Sequence, residues 1–155
     1  MAYNKKKRFL FIAVIIVLLL AVFFGRVFGR RLFFKNAPTS QVVINGQTIQ
    51  AETVTSASDM YRGLSLRPSL GANSGMLFLF PDEAPREFVM RQMEFPLDII
   101  FMDHHSIIKI AANLPPEGLN PTVIYSSDAS ADAVLEVNAG YAAAHNIKIG
   151  DYAQY

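Results

Sequence analysis

The sequence predicts an α+β domain that is predominantly β. Its core is a compact antiparallel or mixed sheet, closed or nearly closed, with one or two short helices and an N-terminal membrane helix ahead of it. Three observations lead there. Phe9 to Gly25, FLFIAVIIVLLLAVFFG, carries no charged or polar side chain and has basic residues on both sides. After Pro38 the chain breaks into short apolar runs punctuated by Gly, Pro and Asn-Gly, a pattern of strands rather than long helices. The charge is divided as well. Eight of the 14 Lys and Arg lie in the first 35 residues with no acid among them, whereas all 13 acids lie between Glu52 and Asp151 beside six bases, a formal −7.

The first apolar run sets the membrane expectation. Phe9 to Phe24 spans roughly 24 Å as a helix, short of a hydrocarbon core of about 30 Å. Extension to Phe28 brings it to about 20 residues, with Arg26 snorkelling among headgroups as Arg8 does at the other end. A cleaved signal peptide would need a small-residue site after the run, but RVFGRRLFFKNAP follows. The chain has no cysteine, which excludes a lipidated N-terminus. The expectation is an uncleaved signal anchor. The positive-inside count ties at four on each side, and the compact Lys5 to Arg8 cluster favours a cytoplasmic N-terminus. The reading is a basic tail over 1–8, an anchor over 9–28 that meets the lipid bilayer through Phe9 to Phe28, a linker over 29–40 and an extracytoplasmic domain over 41–155.

About 117 residues after Pro38 suffice for one domain with its own core and are too few for two. In QVVINGQTIQAETV, Asn45-Gly46 predicts a hairpin with a type I′ turn. SASDMYRGLSL has capping residues before a run that ends near Gly63, giving one or two helical turns. Met76 to Phe80, bounded by Gly75 and Pro81, and Glu87 to Arg91 read as separate strands. Leu97 to Met102 is apolar on both faces apart from Asp98, so it should be a central strand covered on two sides. DHHS turns it back into Ile107 to Ala112. Thr122 to Tyr125 and Val134 to Val137 are further strands, YAAAHN after Gly140 is a short helix, and Ile149 to Tyr152 closes the chain. The total is seven to nine strands and two small helices.

Several function classes are missing from the sequence. It has no G-x-x-x-x-G-K-[ST], G-x-G-x-x-G or H-E-x-x-H, and GANSG over 71–75 has its serine one place too late for a nucleophile elbow. No cofactor is implied. A domain at −7 without a basic stripe repels phosphate backbones, so no nucleic-acid partner is expected. Asp103, His104 and His105 are tempting as metal ligands, but adjacent strand residues point opposite ways and a hairpin turn belongs there. They read as a solvated turn, and no metal site is assigned.

The telling residues are charges in apolar surroundings. Asp98 sits in FPLDIIF and Glu136 in AVLEVNAG, where a carboxylate is costly without hydrogen bonds or a cation. Arg62 and Arg67 are the only bases between Lys35 and Arg86. Buried charges are usually paired for structural reasons, so ion pairs that lock the short helix onto the sheet are the plain reading. The functional reading is a polar pocket in which Arg62 or Arg67 meets an anionic ligand and Asp98 or Glu136 acts as acid or base. Met76, Phe78, Phe80, Phe88, Met90 and Met93 are assigned to the core.

These residues also carry a resemblance. Arg62-Gly63-Leu64 with Arg67 and Leu70 comes first, followed by Gly75-Met76-Leu77-Phe78. Phe88 and Met90 then lead to Pro96-Leu97-Asp98-Ile99 and Phe101-Met102-Asp103. Pro115, Tyr125, Leu135-Glu136, Gly140 and Gly150-Asp151 complete the set. From Val43 to about Tyr152 the chain resembles the DUF192 family, small uncharacterised bacterial and archaeal domains that are often exported. The resemblance implies a compact β-rich fold and brings no activity. Two positions depart from it: Ser65 stands where the family usually has Met, and Gln92-Met93 where it tends to have Asn-Thr. The function expected is a membrane-anchored, extracytoplasmic module that binds a small ligand or an envelope partner. The alternative is a hydrolase or transferase using the Arg-carboxylate group.

Overall fold

The computed structural model describes residues 15–17, 20 and 38–155. Ile15, Ile16, Val17 and Leu20 are helical. The rest of the expected anchor and the linker up to Ala37 lie outside the described residues, among which no helix is long and apolar enough to cross a membrane. The folded unit is Ala37–Tyr155.

That unit has the order β1 (Thr39–Ile44), β2 (Gln47–Val54), α1 (Ala57–Arg62), β3 (Ser74–Phe88), β4 (Leu97–Asp103), β5 (Ser106–Leu114), β6 (Tyr125–Asn138), α2 (Tyr141–Ala144) and β7 (Ala153–Gln154). The strands form one sheet in the order β5-β4-β6-β3-β2-β1-β7. β2 and β3 are parallel, joined across α1, and the other neighbours are antiparallel. Both predicted hairpin turns form. Asn45 and Gly46 take φ 51° and 75°, and His104 and His105 take φ 47° and 66°. Ser56 caps α1 by accepting from the Asp59 N–H at 3.2 Å, and Gly63 ends it at φ 49°.

The sheet curls into a half-barrel. Its edges meet at the start of β5, where Ile107 N–H donates to Asp151 C=O at 2.9 Å and Ala153 N–H to His105 C=O at 2.8 Å. Strand alternation divides the core between the two faces. On one face Ile100 and Met102 of β4 join Val42, Ile44, Ile49, Leu135 and Val137 under α2. On the other, Leu97, Ile99 and Phe101 join Leu64, Met76, Phe78, Met90 and Val134. β4 is buried on both sides, as predicted.

Some boundaries differ from expectation. The two runs assigned around Pro81 and Pro85 are one strand, β3, and it ends at Phe88 rather than Arg91. Beyond Phe78 β3 has lost β2 as a neighbour and pairs only with β6, through irregular register. A proline whose missing N–H faces an open edge breaks no ladder there. For the same reason Tyr125 and Val134 belong to a single β6, most of whose first half pairs only with this extended ribbon of β3. Thr122 to Ile124 precede the strand, and the last strand falls on Ala153–Gln154.

Candidate functional site

The sheet puts the two buried carboxylates on opposite faces. Asp98 lies on the α2 side and is fully buried. Its Oδ1 accepts from Asn113 N–H at 2.8 Å and Gly140 N–H at 3.0 Å, and its Oδ2 from Ala142 N–H at 3.0 Å. Three backbone donors, two of them at the start of α2, satisfy both carboxyl oxygens without an arginine. The expectation that Asp98 shares a group with Arg62 or Arg67 is therefore corrected: Asp98 is a clasp between β4, β5 and α2.

Glu136 belongs to the other face. The registers align Glu52 of β2, Met76 of β3, Glu136 of β6 and Ile99 of β4 in one row across the sheet. Arg67 lies over this row and grips Glu52 through both guanidinium nitrogens, with Nη2 to Oε2 at 2.8 Å. Arg67 is thus paired with an acid that sequence reasoning passed over. Glu52 sits in QTIQAETV, an alternating strand where an acid looks solvent-facing. Only the alignment of β2 beside β3 brings it next to Glu136.

The Glu136 residue is 6% exposed. Burial pushes its carboxyl up to about 8, and the nearby Arg67 charge offsets only part of this. At neutral pH it is largely the uncharged acid, and among the described residues its buried Oε2 has no hydrogen-bond partner. Above it lies Gly63, where an added Cβ would stand 3.9 Å from Oε2 and 3.7 Å from the Phe78 ring.

Glu136 borders a pocket of about 280 Å³ between α1 with its following turn and the segment after β3. Its walls are mostly apolar: Met60, Leu64, Phe78, Phe80, Phe88 and Met93. Phe78 and Phe88 meet edge-to-face with centroids 5.0 Å apart, as do Phe88 and Phe101 at 5.9 Å. Several of these side chains were assigned simply to the core, and the structure makes them wall as well. Arg62, Arg91 and Glu87 supply the charge around the pocket. Arg62 pairs with Asp59 at 3.5 Å on its own helix and is half exposed. Arg91 lies over the Tyr61 ring at 3.8 Å and donates to the Tyr61 carbonyl at 2.6 Å. Ser65 Oγ donates to the Arg91 carbonyl at 2.8 Å, and Leu66 N–H to the Gln92 carbonyl at 2.8 Å. Leu66 and Gln92 both take positive φ, 63° and 53°. Two turns are thus tied together beside the cavity, in backbone conformations that non-glycine residues rarely adopt. Of the four expected site residues, then, Arg62 and Glu136 line one pocket, Arg67 stands behind Glu136, and Asp98 is elsewhere.

At the β4–β5 turn, Glu83, Asp103 and His104 place their ligand atoms within 4.8 Å of one another. His104 is exposed and lies 3.3 Å from each carboxylate.

A curled sheet with a pocket over a buried glutamic acid defines a small β-rich pocket domain. Residues 40–155 match the DUF192 family, an uncharacterized ACR, and the chain belongs to it. It is similar to a crystal structure of a protein of unknown function from Novosphingobium aromaticivorans: 31% identity over 77% of this chain and 86% of that one, TM-score 0.72. A Sinorhizobium meliloti protein, provisionally described as a transcription regulator, is 26% identical over 78% of this chain and 96% of that one, also with TM-score 0.72. The search of curated proteins gives no match.

Proposed function

We propose that the domain is a binding module for a small molecule, held at the extracytoplasmic face of the membrane by Phe9 to Phe28. The ligand has an apolar body and an uncharged polar end. One observation carries the reading: a neutral carboxyl with an unpartnered oxygen, buried at the edge of an apolar pocket. Ligand sites combine mostly apolar walls with a few placed polar groups, and a buried polar atom without a partner invites one. As a neutral acid, Glu136 can donate to a carbonyl or hydroxyl oxygen, which a carboxylate cannot do. Six landmarks of the family resemblance, Arg62, Gly63, Leu64, Phe78, Phe88 and Glu136, stand on this wall. So do Ser65 and Met93, where the chain departs from the pattern. A shared pocket with altered selectivity fits both facts.

A hydrolase or transferase would also value an acid that titrates near 8. The hydroxyls lining the pocket belong to Tyr61 and Ser65, and Ser65 is committed to the Arg91 carbonyl, with no histidine in the lining to activate it. This favours binding over catalysis. A nucleic-acid partner fits poorly with a domain at −7.

The test is a thermal-shift screen of small neutral and anionic amphiphiles against residues 38–155. A true ligand raises the midpoint in a concentration-dependent way. The apparent affinity should fall at least tenfold in Glu136→Leu, which removes the donor, and in Met60→Trp, which fills the pocket. A hit that both variants bind as well as the parent would refute the pocket.

A further inference from the structure

We infer that α1 is a strap across the pocket, latched by Arg91, and that it swings aside to admit a ligand to Glu136. This rests on the binding reading above and adds to it the way in.

The need for an opening comes from Glu136. It lines the pocket, yet water does not reach its Oε2 and, among the described residues, nothing bonds to that atom. An atom closed to water is closed to a ligand as well, so the structure holds the polar group of the pocket without presenting it. The cover is backbone. Gly63, which ends α1, lies close above: a Cβ added there would stand 3.9 Å from Oε2 and 3.7 Å from the Phe78 ring. The binding-competent arrangement is therefore a second state, in which the end of α1 has moved off Glu136.

The seating of α1 suits such a movement. None of its six residues is buried, and only Met60 is partly covered. A helix so short is unstable by itself, and this one gains little from packing, since it makes no broad contact with any strand. Its two ends are fixed instead. Before it, Val54 is buried at the end of β2. After it, Leu64 is buried, and Ser65 Oγ and Leu66 N–H donate to the carbonyls of Arg91 and Gln92. A segment pinned at both ends and loose between is a strap, and Gly63 at φ 49° supplies its hinge.

One side chain holds the middle down. The Arg91 guanidinium lies 3.8 Å over the Tyr61 ring and donates to the Tyr61 carbonyl at 2.6 Å. That carbonyl is in the last turn of α1, where acceptors lack intrahelical partners and a positive charge is favoured. The Tyr61 ring has no buried seat of its own, the residue being 72% exposed. Cation–ring contacts open to water are weak, which suits a latch that must release. Arg91 belongs to the segment after β3, on the opposite side of the pocket from α1, so this contact ties the two walls together.

The cysteine-free chain makes opening measurable. In the full chain, Met93→Cys puts a thiol in the pocket wall and Ala133→Cys puts one in the core of the other face. Each reacts with iodoacetamide only while its cover is open. Adding Arg91→Ala should speed alkylation at 93 about fivefold or more, the release of one exposed cation–ring contact and its hydrogen bond, and leave the rate at 133 within about twofold. Tyr61→Leu, which removes the ring and keeps Arg91, should act in the same direction. An unchanged rate at 93 overturns the latch, and equal acceleration at both thiols shows general loosening and overturns it too. Without any substitution, hydrogen exchange should find the Met60 and Gly63 amides, bonded to the Ser56 and Asp59 carbonyls, far less protected than those of β4. Equal protection would mean that α1 does not move apart from the sheet, and the strap falls. Neither measurement uses a ligand, so failure here leaves the pocket to its own screen, and an empty screen leaves the strap standing.

Discussion

Glu136→Gln separates the buried acid from every other titrating group. In the folded domain the carboxyl is raised from an ordinary 4.5 to about 8. An acid held neutral by burial favours the folded state most at low pH. As pH rises above 4.5 the unfolded chain gives up this proton and the folded one keeps it, so stability falls until about pH 8 and then levels. Each pH step in that window costs about 1.4 kcal/mol. Between pH 5 and pH 7.5 the loss from this one group is about 3 kcal/mol. Glutamine has nearly the same shape and cannot ionise. The variant should resemble the parent at pH 5 and exceed it by about 3 kcal/mol at pH 7.5, roughly 1–3 M in urea midpoint at usual slopes. Comparing the two proteins at each pH cancels the histidines and the exposed acids. Urea unfolding of residues 38–155, followed by far-ultraviolet circular dichroism, reads the difference. A difference that stays within about 0.5 kcal/mol from pH 5 to 7.5 would show that Glu136 ionises normally, and the donor role would fall with it.

Asp98→Ala leaves three backbone donors without their acceptor and should cost about 3 kcal/mol or more in the same assay; a loss under 1 kcal/mol would mean that the clasp onto α2 is dispensable. Gly63→Ala must hold a Cβ at φ 49° and should cost about 1–3 kcal/mol, chiefly through backbone strain, since its nearest neighbours stand at ordinary contact distance. Phe101→Ala empties a fully buried site against Phe88 and should cost about 3–5 kcal/mol. In intact spheroplasts, external protease should degrade the domain and spare residues 1–8; protection until lysis would reverse the orientation, and a mature N-terminus near Ala37 would remove the anchor.

Local chemistry announced the turns and caps of this domain, because each needs a particular residue at one position. Asn45-Gly46 demands positive φ, and Ser56 supplies an oxygen where helix donors are free. Periodicity likewise revealed β4, whose Leu97, Ile99 and Phe101 face one core while Ile100 faces the other. Strand ends were less legible. A proline reads as a break only if the strand has neighbours on both sides, and whether it does depends on pairings far away in sequence. The site shows the same limit more sharply. Asp98 and Glu136 look alike as isolated acids in apolar runs. Two different alternations place them on opposite faces, one beneath backbone donors and one beneath a glycine. No pattern in either run says which acid finds hydrogen-bond donors. The fates divide because Asp98 finds three N–H groups from β5 and the α2 start, whereas the nearest cation to Glu136 is already gripped by Glu52. An arginine committed to one acid stabilises a second only weakly, and the second takes up a proton instead. Burial is what raises the Glu136 carboxyl and the Arg67 charge offsets part of it, so cutting the Arg67–Glu52 pair should shift the balance. With Glu52→Gln, the Arg67 charge is freed toward Glu136 and the carboxyl should titrate well below 8, detectable by carbon-13 NMR of the glutamate side chains. An unchanged titration would show that desolvation alone, not competition for the arginine, holds the acid neutral.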